Sequence, residues 1–113
     1  MPTATFIHDG NSIDYTPGSN IAAGDVVVLM DLVGVAKRDI PANTTGSLAV
    51  TGVFDVPKAV GPGLYFDVGQ LVYWDATAKK AINTGGGPNK YMGKAVRGAG
   101  MGDTTVRIRL GQQ

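Results

Sequence analysis

A strand-forming pattern occurs twice in this chain, and that repeat limits the folds open to it. Residues 68–75 (VGQLVYWD) place a glycine and a polar residue before an apolar run that contains the only tryptophan. Residues 23–30 (AGDVVVLM) are a fainter version of the same pattern. A glycine turn followed by β-branched, aliphatic and aromatic residues is typical of a strand that leaves a tight turn. Both segments are therefore predicted to be strands.

The similarity extends beyond these two segments. Residues 33–36 (VGVA) correspond to residues 92–95 (MGKA). Residues 45–50 (TGSLAV) correspond more loosely to residues 103–108 (DTTVRI). We therefore predict that the chain consists of two halves with a similar strand pattern, folded against each other.

Residue usage supports an all-β fold. Every acidic residue is aspartate, glutamate is absent, and glycine occurs 17 times. Valine and threonine favour strands, whereas glycine, aspartate, asparagine and proline favour turns. No segment has a convincing helical period. Because 113 residues suit one domain, we predict a single all-β domain over residues 1–113, with many short strands and little or no helix.

Charge and hydropathy argue against two classes of partner. The net charge is +1, whereas nucleic-acid binding normally needs a clustered basic face. The longest apolar run, residues 26–36, is interrupted by Asp31 and has about half the length that crosses a bilayer. The sequence contains no cysteine, which excludes disulfides and thiolate metal sites. We expect a soluble protein that binds neither nucleic acid nor membranes.

The usual signatures of catalysis are also missing. A phosphate-binding loop around residues 93–94 (GK) would need a glycine at Pro88 and a serine or threonine at Ala95. His8 is the only imidazole and lacks an obvious partner for acid–base chemistry. We therefore predict no catalytic, cofactor-binding or metal-binding residues.

Local patterns predict several further elements. Residues 3–8 and 11–15 flank Asp9-Gly10, a strong hairpin signal, so residues 1–15 are expected to form an N-terminal hairpin arm. Residues 26–30 are apolar without alternation, which indicates a strand buried on both faces.

Three later segments complete this set of expectations. Residues 46–56 form the longest predicted strand, with a bulge at Gly52. Residues 57–63 contain two prolines and are predicted to be an exposed loop. Residues 104–110 alternate apolar and polar side chains, which predicts a half-buried strand with a cationic outer face.

The hydrophobic core is predicted to be anchored by Trp74. Alternation along a strand points Tyr73 and Trp74 to opposite faces, so one of them faces inward. Leu71 on the same strand and Val27 in the fainter copy are the other predicted core anchors. Two alternative roles for Trp74 are a subunit contact and a stacking platform for a sugar.

Several motifs in their order and spacing resemble the capsid cement (decoration) proteins of tailed bacteriophages. The resemblance covers nearly the whole chain. It rests on residues 13–16 (IDYT) and 22–27 (AAGDVV), on residues 33–36, 39–41 (DIP) and 46–54, and on residues 69–75 (GQLVYWD) and 102–110 (GDTTVRIRL).

The resemblance implies a β-barrel or β-sandwich that self-associates as a homodimer or homotrimer. It also implies binding to the major capsid protein on the outside of the icosahedral shell, which the protein would reinforce. Such a protein resides in the virion and is made in the bacterial host cytoplasm. The family carries no catalytic residues and no cofactor. The alternatives are a phage tail or baseplate structural module and a small ligand-binding barrel for a sugar.

The first residues of the chain are the predicted contact segment. Thr3, Thr5, Phe6 and Ile7 lie on faces of the N-terminal strand that the sequence does not obviously bury. Exposed strand edges with apolar side chains persist mainly where something covers them. We therefore expect these residues to contact a sister subunit or the capsid.

Overall fold

The computed structural model describes residues 10–85 and 89–111, and this part of the chain contains nine strands and no helix. The all-β class predicted from the sequence is confirmed. The strands are β1 (Ser12–Tyr15), β2 (Val26–Leu29), β3 (Leu32–Ala36), β4 (Gly46–Ala49), β5 (Gly52–Pro57), β6 (Leu71–Asp75), β7 (Lys80–Ile82), β8 (Lys90–Ala95) and β9 (Thr105–Leu110).

The strands form two antiparallel sheets with the same internal order. The first sheet has four strands in the order β1-β4-β3-β2, and the second has five in the order β5-β9-β8-β6-β7. Strands β5, β6, β8 and β9 thus repeat β1, β2, β3 and β4 in that order, and β7 is the one addition among the described strands. The prediction of two similar halves is therefore confirmed.

The repeat extends to individual backbone hydrogen bonds. Gly24 and Gly69 both have left-handed backbone angles, with φ of 92° and 91°, which glycine adopts without steric cost. The Gly24 amide donates to Ala36 O at 2.6 Å, and the Gly69 amide donates to Ala95 O at 2.7 Å. These paired glycines explain why the glycine-polar-apolar pattern occurs in both halves.

The expected correspondence between residues 45–50 and 103–108 needs a correction of two positions. Leu48 pairs opposite Ala36, and Ile108 pairs opposite Ala95. Leu48 is therefore equivalent to Ile108 rather than to Val106. A shift of two positions keeps every side chain on the same face, so the apolar pattern alone does not reveal the error.

The two sheets pack face to face as a β-sandwich, one of the two expected architectures. From the first sheet, buried Val33 and Val35 and half-buried Val26 and Val28 enter the shared core. From the second half, the buried members are Val56, Phe66, Val72, Trp74, Ala81, Met92, Ala95, Ala99, Val106, Ile108 and Leu110.

The opposite face of the first sheet carries a smaller apolar cluster. Its buried members are Ala36, Ile40 and Leu48. Half-buried side chains surround them, namely Ile13, Tyr15, Ile21, Val27 and Leu29.

The prediction of one long strand over residues 46–56 is wrong, because this segment forms two strands that lie in different sheets. Strand β4 ends at Ala49 in the first sheet, and β5 begins at Gly52 in the second. The chain crosses between the sheets at Val50 and Thr51. Gly52 has a φ of 126° and starts the new strand rather than forming a bulge.

Two burial predictions are also wrong. Strand β2 is half-buried at the edge of its sheet, and Met30, 86% exposed, lies in the turn after it. The segment 57–63 is not wholly an exposed loop, because Lys58 is 1% exposed and bridges to Ala81. Apolar composition alone does not distinguish a central strand from an edge strand.

The alternation predicted for residues 104–110 is confirmed. In β9, Val106, Ile108 and Leu110 are buried, whereas Arg107 and Arg109 are exposed. This strand lies between β5 and β8, which fixes its apolar face against the core.

Candidate interaction surfaces

The predicted core anchors occupy different environments. Trp74 is 4% exposed and packs in the main core, where it pairs opposite Ala81 of β7. Leu71 is half-buried at the start of β6, and Val27 is half-buried against the smaller cluster of the first sheet. The predicted contact residues Thr3, Thr5, Phe6 and Ile7 lie outside the described residues.

Strand β2 forms an open edge of the first sheet. In the part of the chain that the structure describes, β2 pairs with β3 on one side and with no strand on the other. Its four residues, Val26–Leu29, are all apolar and half-buried. An apolar edge without charge or proline is a template for pairing with another chain.

A groove of about 1050 Å³ lies at the end of the sandwich, next to the last residue of β2. Gly10, Leu29 and Met30 line one part of it, and Tyr91 and Arg109 line another. It joins the end of β2 to the point where the N-terminal residues enter the fold.

An ion pair crosses the same groove. Lys90 Nζ lies 2.9 Å from Asp31 Oδ1 and links the β2–β3 turn to β8. Because both side chains are accessible to solvent, the ion pair contributes about 0–1 kcal/mol to the free energy of unfolding.

A second surface consists of two adjoining loops of the second half, which we name the apolar loop end. It presents exposed Val60, Tyr65, Val68, Val96 and Met101. The Phe66–Ala99 bridge pairs the two loops, and the Gly61 amide donates to Met101 O at 3.2 Å. The loops therefore hold these side chains on an ordered backbone.

The internal repeat shows that this apolar character is not required by the fold. Because Gly24 is equivalent to Gly69, Val68 corresponds to Ala23 of the first half. Because Ala36 is equivalent to Ala95, Val96 corresponds to Lys37. The same loops thus fold with small or charged residues at these positions.

Buried Lys58 links the two loops of the apolar loop end through hydrogen bonds. Its Nζ donates to Ala59 O at 2.8 Å and to Asp103 O at 3.3 Å. Burial lowers the pKa of Lys58, and the charge of Asp103 partly opposes that shift. Nothing in the sequence pattern identified this buried lysine, because lysine is rarely buried.

The outer face of the second sheet is cationic. Arg107 binds Asp55 through two hydrogen bonds of 2.9 and 3.1 Å. The hydrogen bond from Arg107 is the main reason that the pKa of Asp55 lies below its ordinary value. Lys94 pairs opposite Arg109 on neighbouring strands, and both are exposed. These exposed cations suit an acidic partner surface.

Nearby, Tyr73 and Tyr91 form an edge-to-face pair with ring centroids 6.1 Å apart. Burial raises the pKa of Tyr91.

The described residues do not form a cluster of metal-ligating side chains. No three histidine, cysteine, aspartate or glutamate side chains come together in residues 10–85 and 89–111 to hold one. A membrane-spanning helix of sufficient length and apolarity is likewise missing from the described segments.

The sequence pattern did not predict the apolar loop end, because its members are scattered over residues 60–101. Their exposure depends on tertiary structure, and neither strand nor helix periodicity connects them. The only available signal was the difference between the two halves at Val68 and Val96.

Comparison with known proteins identifies the family. Searches of curated proteins and of solved structures each returned no match. A scan against protein families matches residues 7–110 to the family described as phage cement protein. This match spans both sheets and agrees with the resemblance noted in the sequence. The chain therefore belongs to the phage cement protein family and has a structural, capsid-associated role.

Proposed function

We propose that the protein binds the outer surface of an assembled phage capsid and reinforces it, with the major capsid protein as its partner. It self-associates and occupies many symmetric copies of the same site, so that weak contacts add up. It is made in the cytoplasm of the bacterial host and resides in the virion.

The observation that carries this proposal is the apolar loop end. Val68 is 70% exposed, and its four companions are between 40% and 50% exposed. Five large apolar side chains on adjoining ordered loops are typical of a protein-binding surface. The small and charged equivalents in the first half, Ala23 and Lys37, indicate that Val68 and Val96 serve binding rather than folding.

The other readings have weaker support. A sugar-stacking role for Trp74 requires an accessible ring, and this ring is 4% exposed. A tail or baseplate module shares the all-β composition, but the family match is to cement proteins. We therefore propose a non-enzymatic, structural protein.

We also propose that the N-terminal segment contributes a contact. Thr3, Thr5, Phe6 and Ile7 follow a strand-forming pattern and precede Gly10 in the groove beside β2. This segment is assigned to self-association or to capsid binding.

Replacing the apolar loop end with the residues of the first half tests the capsid contact. Val68→Ala combined with Val96→Lys should weaken co-sedimentation with undecorated capsids at least tenfold, about 1.4 kcal/mol. The fold should persist, because Ala23 and Lys37 occupy the equivalent loops in the first half.

The matched control is Val53→Lys. Val53 is 58% exposed but lies on β5, away from the two loops. Its capsid binding should equal that of the wild-type protein. Undiminished binding by the Val68/Val96 variant, with loss in Val53→Lys, would assign the contact to the outer face of the second sheet instead.

A further inference from the structure

The internal repeat indicates that a further strand can pair with the open edge of β2. Strand β6, the equivalent of β2, carries the short antiparallel strand β7 on its outer side. Ala81 of β7 is fully buried there. The described residues supply no such strand for β2. Among the described residues, the same edge is thus covered in one half and open in the other.

The backbone of β2 has hydrogen-bonding groups available on its open side. Ala36 donates to Asp25 O at 2.9 Å, and bonded pairs in an antiparallel ladder recur at every second residue. Val27 and Leu29 therefore bond to β3, whereas the amides and carbonyls of Val26 and Val28 point outward. Two donors and two acceptors are positioned to receive a strand.

We propose that residues 3–7 of a second copy of this chain add to the open edge of β2 as an antiparallel strand. This inference rests on the proposed self-association and names the two surfaces that form it. The main-chain ladder supplies the affinity. The strand places Thr3, Thr5 and Ile7 on one face and Phe6 on the other.

The position of residues 3–7 in the chain favours a second copy over the same chain. Only His8 and Asp9 separate residue 7 from Gly10, which lies next to β1, at the opposite edge of the sheet from β2. Reaching the outer side of β2 means crossing four strand spacings, about 19 Å. The three residue steps from Gly10 to Ile7 span at most about 11 Å, so residues 3–7 of the same chain cannot lie along Val26–Leu29.

Residues 3–7 can reach a neighbouring copy without crossing the strands of their own sheet. A neighbouring sandwich can bring its β2 edge next to Gly10, and residues 3–7 then lie along that edge. Each copy has one donor segment and one acceptor edge, so the contact joins copies head to tail and closes as a ring or as a reciprocal pair.

Two full-length variants test the donor segment, residues 3–7, and the acceptor edge, β2, separately. Val28→Pro removes an outward amide without breaking the β3 ladder, since proline is tolerated at such edge positions. Thr5→Pro combined with Phe6→Pro blocks the donor strand, because the two prolines remove one amide from each of its hydrogen-bonding edges. Val28→Thr, which keeps the amide, is the control. Circular dichroism melts check that each variant remains folded.

Sedimentation measures the mass of each variant alone and of the two mixed. We expect the wild-type protein and Val28→Thr to form the same oligomer, and each proline variant alone to be monomeric. Mixed in equal amounts, the two proline variants should form a dimer, because one retains the donor and the other retains the edge.

Three results would overturn the inference. They are an unchanged oligomer for Val28→Pro, no complex in the mixture of proline variants, or a monomeric wild-type protein. A loss of capsid co-sedimentation by Val28→Pro at unchanged mass would assign the edge to the capsid. Wild-type capsid binding measured alongside shows whether the proposed function stands independently.

Discussion

Trp74→Ala is expected to lower the free energy of unfolding by about 3–5 kcal/mol. Trp74 is 4% exposed and belongs to the main core, where Ala81 of β7 is its cross-strand neighbour. Its removal leaves a cavity that the surrounding β-sheet residues fill only in part. Urea denaturation monitored by circular dichroism measures this loss.

Leu71→Ala on the same strand is the control. Because Leu71 is half-buried, its truncation should cost roughly 1–2 kcal/mol. A loss below about 1 kcal/mol for Trp74→Ala would show that the ring is not packed in the core. The sugar-stacking alternative would then return.

Gly93→Ala is expected to cost at least about 3 kcal/mol, at the upper end for overpacking in a core. A Cβ atom at Gly93 would overlap the carbonyl oxygen of Arg109 and lie 2.9 Å from its carbonyl carbon. Both atoms belong to the backbone of β9, so β8 and β9 would have to separate. Thermal and denaturant unfolding of the purified variant measure the effect.

The internal repeat provides a matched control at Gly34, the equivalent position in β3. A Cβ atom there would lie 3.2 Å from Leu48 Cβ and 3.3 Å from Ala49 O, contacts that a shift of a few tenths of an ångström relieves. Gly34→Ala should therefore cost clearly less than Gly93→Ala. Equal losses in the two variants would contradict the close approach of β8 and β9.

The repeat and the all-β class could be read from the sequence because they depend on local chemistry. Gly24 and Gly69 need left-handed backbone angles, and that need leaves a visible glycine before each apolar run. The alternation over residues 104–110 follows directly from a strand with one face in the core.

Other features depend on contacts between distant residues. The break at Val50 and Thr51 reflects a change of sheet, and an apolar strand pattern continues across it. The apolar residues of β2 resemble those of a central strand, although β2 lies at an edge. Burial of Lys58 requires the carbonyl oxygens of Ala59 and Asp103, which only the folded loops bring together.

Titration of the purified protein onto undecorated phage capsids tests the central claim most directly. Bound protein and the capsid disassembly temperature are measured in the same samples. We predict saturable binding at a fixed ratio to the major capsid protein, accompanied by a rise in disassembly temperature that levels off at the same ratio. Absence of saturable binding, or saturation without any rise in disassembly temperature, would contradict a reinforcing role on the capsid exterior.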